Sequence, residues 1–162
     1  MASTIDIVEF ELGGERYALD IQLAREIVEM IPITPIPRAP AYISGVINLR
    51  GEITNIMNLN TLLGLPDQEV RNNQKIIVLV PEATGGSNVG IIVDDVSSVI
   101  QVAETDVDKI GEGFSSETSS FVKGIIKMKT EEQSDAKQSD AKKNLIIWID
   151  MEKVIKDLVE KS

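Results

Sequence analysis

The sequence predicts an all-β fold of two pseudo-duplicated barrels, about five strands each, that share a core. Short helices, including one at the C-terminus, complete it. Three observations lead there. The 162 residues are 43% hydrophobic yet only 4% aromatic, so the core is Ile, Val and Leu, a composition that favours strands. Short runs of apolar residues are separated by glycine-bearing turns. The third observation is a repeat, because the two halves show the same order of parts. Strand, glycine turn, strand and aspartate occur as Val8 to Asp20 and again as Ile76 to Asp94. Gly45-Val46-Ile47-Asn48-Leu49 matches Gly124-Ile125-Ile126-Lys127-Met128, and Asn58-Leu59 with Leu62-Leu63 matches Asp150-Met151 with Val154-Ile155. The spacing between matching positions is 79 at the glycines and 92 at the caps, so Thr130–Lys142 reads as an insertion in the second copy. Small antiparallel sheets lose their exposed edges by closing, and halves this small are marginal alone. The chain is therefore read as one domain, 1–162, with approximate subdomains 8–65 and 75–150.

The elements follow in order. Val8, Phe10 and Leu12 alternate with Glu9 and Glu11, which predicts a strand with one buried and one wet face. Gly13-Gly14 turns it into a second strand, where Tyr17, Leu19 and Ile21 share a face. A helical turn is expected over Ile21–Ala24, then a strand from Glu26 to Met30. Four prolines between Pro32 and Pro40 exclude helix and suit an extended connector along a sheet edge. Gly45–Leu49 and Ile53–Met57 are strands around a turn at Arg50-Gly51. Asn58 stands where an N-cap belongs, before a short helix with Leu59, Leu62 and Leu63 on one face, stopped by Gly64 and Pro66. Leu65–Gln74 is a polar link. Lys75–Val80 and Val89–Asp95 are strands around a turn at Gly85–Asn88, and Val96–Val102 is another. Ala103–Ser120 reads as loop, Phe121–Lys129 and Asn144–Ile149 as strands. Asp150 caps a last helix with Met151, Val154, Ile155, Leu158 and Val159 on one face. Thr130–Lys142 carries QSDAK twice and has almost nothing to bury, so a solvated flexible loop is expected there.

Charge and missing residue types narrow the chemistry. A net charge of −10 argues against nucleic acid, which needs a cationic face. With no Cys and no His the chain has no disulfide, thiol nucleophile, imidazole base or usual zinc ligand. No signal peptide is visible and no apolar run reaches membrane-spanning length, which implies a soluble, cytoplasmic protein without direct membrane insertion.

Candidate sites are few. Arg50 is a lone cation in an apolar block, on a turn followed by glycine. There it can serve as a bidentate donor for a partner carboxylate or pair internally. Ile43, Val46 and Ile47 read most simply as core, although a barrel that binds a helix must turn some apolar residues outward. Asp94-Asp95 beside Glu104, Asp106 and Asp108 suggests a Mg or Ca site, but the spacing matches no EF-hand loop. A turn-capping aspartate explains Asp94, and Asp20 as its counterpart. Glu26 and Glu52 are carboxylates available for acid–base work, with nothing to mark a nucleophile. The alternative function on these residues is a small-molecule-binding barrel or a metal-dependent hydrolase using Asp94 and Asp95.

GVINLRG followed by NLNTLLGL resembles the CheW-like coupling domain of chemotaxis. So do Tyr17-Ala18-Leu19-Asp20-Ile21, Arg25-Glu26-Ile27, the proline connector, Val89-Gly90-Ile91-Ile92-Val93-Asp94 and the terminal IDMEKVI. The resemblance runs from about Ile5 to Leu158. It implies two intertwined SH3-like barrels that exchange strands and helices between the subdomains, without catalysis or cofactor, and that join a histidine kinase to the cytoplasmic tip of transmembrane chemoreceptors. With no kinase or receiver domain attached, the chain looks like the stand-alone adaptor, a monomer when isolated that is recruited to membrane-associated arrays. Receptor contact is then expected through Arg50, Glu26, Ala24, Gly45, Val46 and Asn48, with Arg50 at the rim of a groove between the barrels and steadied by Glu26, whose strand should run alongside. The QSDAK repeat departs from the family pattern. So does Ala24, where a larger aliphatic residue is usual.

Overall fold

A computed structural model describes residues 3–65, 73–108, 121–127 and 145–161, with side chains to 156 in the last stretch. The link at 66–72, the QSDAK segment, Leu158 and Val159 lie outside the described side chains.

Eleven strands and two helices are described. They are β1 (Thr4–Leu12), β2 (Glu15–Asp20), β3 (Ala24–Glu29), β4 (Ile43–Leu49), β5 (Glu52–Asn58), α1 (Leu59–Leu62), β6 (Lys75–Leu79), β7 (Val89–Val93), β8 (Asp95–Ala103), β9 (Val107–Asp108), β10 (Val122–Lys127), β11 (Leu145–Ile149) and α2 (Met151–Lys161). They form two sheets, ordered β8-β1-β2-β11-β10-β9 and β3-β6-β7-β5-β4. Each sheet takes its middle hairpin from the other half of the chain. Hairpin β1–β2 sits among second-half strands, and β6–β7 sits among first-half strands.

The two sheets are built alike. Gly45 pairs with Ile56, and Ile56 with Gly90; Gly124 pairs with Trp148, and Trp148 with Ala18. Both seams that receive a foreign hairpin are parallel, β5 on β7 and β11 on β2. Each barrel closes through a strand that bends round to meet its far edge. In one, the chain after β3 runs through the proline connector to bridge Thr34 with Val46. In the other, β8 turns through residues 104–106 into β9, which pairs with β10. Strand β9 lies where the sequence predicts only loop, because two residues carry too short a pattern to read.

Packing follows this geometry in three clusters. Ile7, Ala18, Val102, Ile126 and Ile146 fill the six-stranded barrel, and Ile47, Ile56, Ile76, Val78 and Ile92 the five-stranded one. Between them a larger cluster joins Phe10, Tyr17, Leu19 and Leu59 to Ile77, Ile91, Met151, Val154 and Ile155. Strand β1 is caught between barrel and shared core. Its residues Ile7 to Phe10 are therefore all buried, and Glu9, expected on a wet face, is only 5% exposed. Its carboxylate lies 3.4 Å from Arg16 Nε, which keeps the buried charge paired.

Candidate functional site

Leu49 pairs with Glu52, which leaves Arg50-Gly51 as a two-residue hairpin loop. Both loop residues have positive φ, 53° and 87°, the sign that lets such a loop follow the twist of its strands. Glycine adopts this freely, whereas arginine does so at a cost, and outliers of this kind cluster at functional positions. The Gly51 N–H donates to Asn48 Oδ1 at 2.9 Å and steadies the turn. From this base the Arg50 side chain extends, 62% exposed, and one Nη donates to Glu26 Oε2 in a short ion pair. The hydrogen bond from Arg50 holds the Glu26 carboxyl below the usual carboxylate range, with burial working against it and the charges of Arg50 and Arg25 adding to it. The same bond, then the charge of Glu26, raises Arg50.

Of the six residues expected at the receptor contact, the structure thus joins Arg50, Glu26 and Asn48 around one turn. Gly45 and Val46 have a second job, the closure of the barrel. Val46 exchanges two 2.9 Å backbone bonds with Thr34, and a Cβ on Gly45 (φ 146°) would sit 2.3 Å from Thr34 O. Ala24 opens β3 opposite Leu79 and packs against the shared core. Glu26 and Arg50 both belong to the five-stranded barrel, so their pair spans one barrel and not a gap between two. A cleft of about 320 Å³ does lie between the halves, lined by Tyr17, Leu63, Leu65, Phe121, Val122, Ile147 and Ile149. None of the six lines it. Burial, and next the charge of Glu15, pushes the Tyr17 hydroxyl up. Sequence periodicity missed this cleft because its wall comes from four separate segments.

The expected caps divide. Asn58 Oδ1 accepts from the N–H groups of Asn60 and Thr61, and Asp150 Oδ1 from Lys153. Asp94 accepts from Gly13 N at 2.8 Å and from Gln74 Nε2 at 3.1 Å, so it holds the β1–β2 turn of the other half. Asp20 makes no side-chain cap to the helical turn that follows it. It accepts instead from Trp148 Nε1 at 2.6 Å and Lys123 Nζ at 3.0 Å. Sheet register explains the difference. With Ala18 standing where Gly90 stands, Asp20 corresponds to Ile92 and not to Asp94, and the matching aspartates in sequence are two residues out of step. Among the described residues no three Asp or Glu side chains converge as a cation site requires.

Two duplicated β-barrels with exchanged hairpins and a rigid, charged turn on one of them define a binding module. The CheW-like domain model matches residues 6–159, and the chain belongs to that family. The protein is 33% identical over 128 residues to a Treponema pallidum protein described as "Chemotaxis protein CheW", covering 76% of this chain and 74% of that one. To the Thermotoga maritima protein of the same description it is 28% identical over 159 residues, with 97% and 91% covered. It is similar to the crystal structure of the scaffolding protein TtCheW from Thermoanaerobacter tengcongensis, with TM-score 0.71, 31% identity, and 91% and 90% of the two chains covered.

Proposed function

We propose that this protein is a non-enzymatic adaptor that couples transmembrane chemoreceptors to a chemotaxis histidine kinase and so lets receptors control kinase activity. The observation that carries it is the match to CheW proteins over nearly the whole chain, in sequence and in fold. The chain acts as one coupling domain, cytoplasmic and monomeric when isolated, recruited to receptor arrays at the membrane. Among the described residues no helix is long and apolar enough to cross a membrane.

The receptor-facing surface is the Arg50 turn with Glu26, Ala24, Gly45, Val46 and Asn48, and the kinase regulatory domain binds elsewhere. Arg50 supports this reading best. It is exposed, held on a strained turn, and only part of its planar fork is engaged by Glu26. Gly45 and Val46 serve by fixing the barrel edge that carries the turn. The test is co-sedimentation of the purified protein with receptor-bearing membranes and kinase. Recruitment of kinase that depends on this protein supports the adaptor, and unchanged kinase in the pellet without it refutes the adaptor.

A further inference from the structure

Two similar halves that exchange hairpins pose a sorting problem. Hairpin β1–β2 docks on β11 through Tyr17–Ile147 and Ala18–Trp148, while β6–β7 docks on β5 through the equivalent parallel pairs Asn55–Val89 and Ile56–Gly90. The backbone pattern is the same, so the backbone alone leaves β1–β2 free to dock on β5 of its own half. That would give two separate barrels without exchange.

Side chains beside the seam differ in kind. In the six-stranded barrel Asp20, its side chain 25% exposed, receives Trp148 Nε1 and Lys123 Nζ. The Lys123 ammonium also stands 5.0 Å from the centre of the Trp148 ring. Sheet register places Ile92, Ser44 and Ile56 at the corresponding positions of the other barrel. Ile92 and Ile56 are buried in its apolar cluster.

We infer that Asp20, Lys123 and Trp148 form a sorting device that directs hairpin β1–β2 onto the second half of the chain. On β5, Asp20 would face Ile56 and Ser44, a largely buried carboxylate with no cation to meet it. Hairpin β6–β7 on β11 would set Ile92 against Lys123 and leave the indole N–H without its acceptor. Both wrong pairings are penalised and both right ones satisfied, which is how specificity between similar partners arises. A partly buried polar contact of this sort contributes little net stability, so choice of partner is its main effect.

The test makes the two barrels alike. The variant Asp20→Ile/Lys123→Ser/Trp148→Ile is refolded from denaturant beside the parent, and both are read by NMR. The parent gives one set of amide signals, with Ala18 close to Trp148. The variant is expected to give two sets, the second with Ala18 close to Ile56. A single set that keeps Ala18 beside residue 148 overturns the proposal, even with a lowered melting temperature, since a merely stabilising cluster behaves that way. Should the triple variant not fold, Asp20→Asn decides. It keeps an acceptor for Trp148 and removes the charge, so the second set is expected at lower abundance. A parent-like single set from that variant overturns the proposal equally.

Discussion

Glu26 and Arg50 stand at opposite edges of the five-stranded sheet, and their ion pair ties those edges together. Glu26 lies on β3, the first strand in the sheet order, and Arg50 on the turn that ends β4, the last. The pair lies at the surface, Arg50 62% and Glu26 25% exposed, where ion pairs contribute little to stability. Arg50→Ala should therefore leave the melting temperature nearly unchanged while receptor binding falls by about 2 kcal/mol or more, as at an interface anchor. Lysine should restore it in part, because a point charge cannot reproduce the planar fork. Kinase binding should persist. Parental receptor affinity in the alanine variant would show that Arg50 serves only the barrel.

The same pair predicts a pH response. Arg50 lowers the Glu26 pKa in the folded state, so the pair's contribution is present above the unfolded value and is lost as pH falls through the folded one. In an NMR titration Glu26 of the parent should titrate below the ordinary carboxylate range. In Arg50→Ala its midpoint should rise toward that range. Equal midpoints in the two proteins would mean that the pair does not persist in solution.

The two barrel closures differ in how much room they leave. A Cβ on Gly45 meets backbone, Thr34 O at 2.3 Å, whereas on Gly124 it meets first the Val107 side chain at 2.6 Å and Asp108 O at 3.0 Å. A side chain can rotate aside and backbone cannot. Gly45→Ala should cost about 3 kcal/mol, at the upper end of overpacking penalties, and Gly124→Ala about 1 kcal/mol. Chemical denaturation of both variants checks the order, and equal losses would contradict it.

Much of this was legible in the residues, and the failures have a pattern. Duplication, strand order, the Arg50-Gly51 turn and the N-cap at Asn58 follow from local signals of period two and from glycine placement. Which barrel a hairpin joins is not local, and neither is the burial of Glu9 on both sides of β1. The Asp20–Asp94 match failed because a matching letter in sequence is weaker evidence than sheet register. The site residues divide likewise. Arg50 is visible as a lone cation in an apolar block and Glu26 as the residue that steadies it, but the two strands do not run side by side as expected, and closure of the sheet brings them together.

Thr54 offers a test of the barrel interior. It is 2% exposed, opposite Ile47, and its hydroxyl has no hydrogen-bond partner among the described residues. The corresponding position in the other barrel is Ile146, fully buried. Removing an unsatisfied buried hydroxyl relieves a desolvation cost, so Thr54→Val should stabilise the protein by about 1 kcal/mol. A loss of stability would show that the hydroxyl is satisfied.

Helix α2 gives the last test, of whether the halves can stand apart. Met151, Val154 and Ile155 are at most 4% exposed and pack in the shared cluster with Phe10, Leu12, Leu19 and Leu23 from the first half. Burying side chains of this size contributes on the order of 1.5 to 3 kcal/mol each. Three of them amount to a large share of the roughly 5 to 15 kcal/mol by which a domain is stable. Ile149, 1% exposed, belongs to the same cluster and ends β11, the strand that receives hairpin β1–β2. Ending the chain at Trp148 should therefore unfold both barrels together in one step, because each contains strands of both halves. The measurement is thermal melting by circular dichroism beside the full chain. A cooperative transition near the parental temperature would mean that the shared core does not hold the two barrels together.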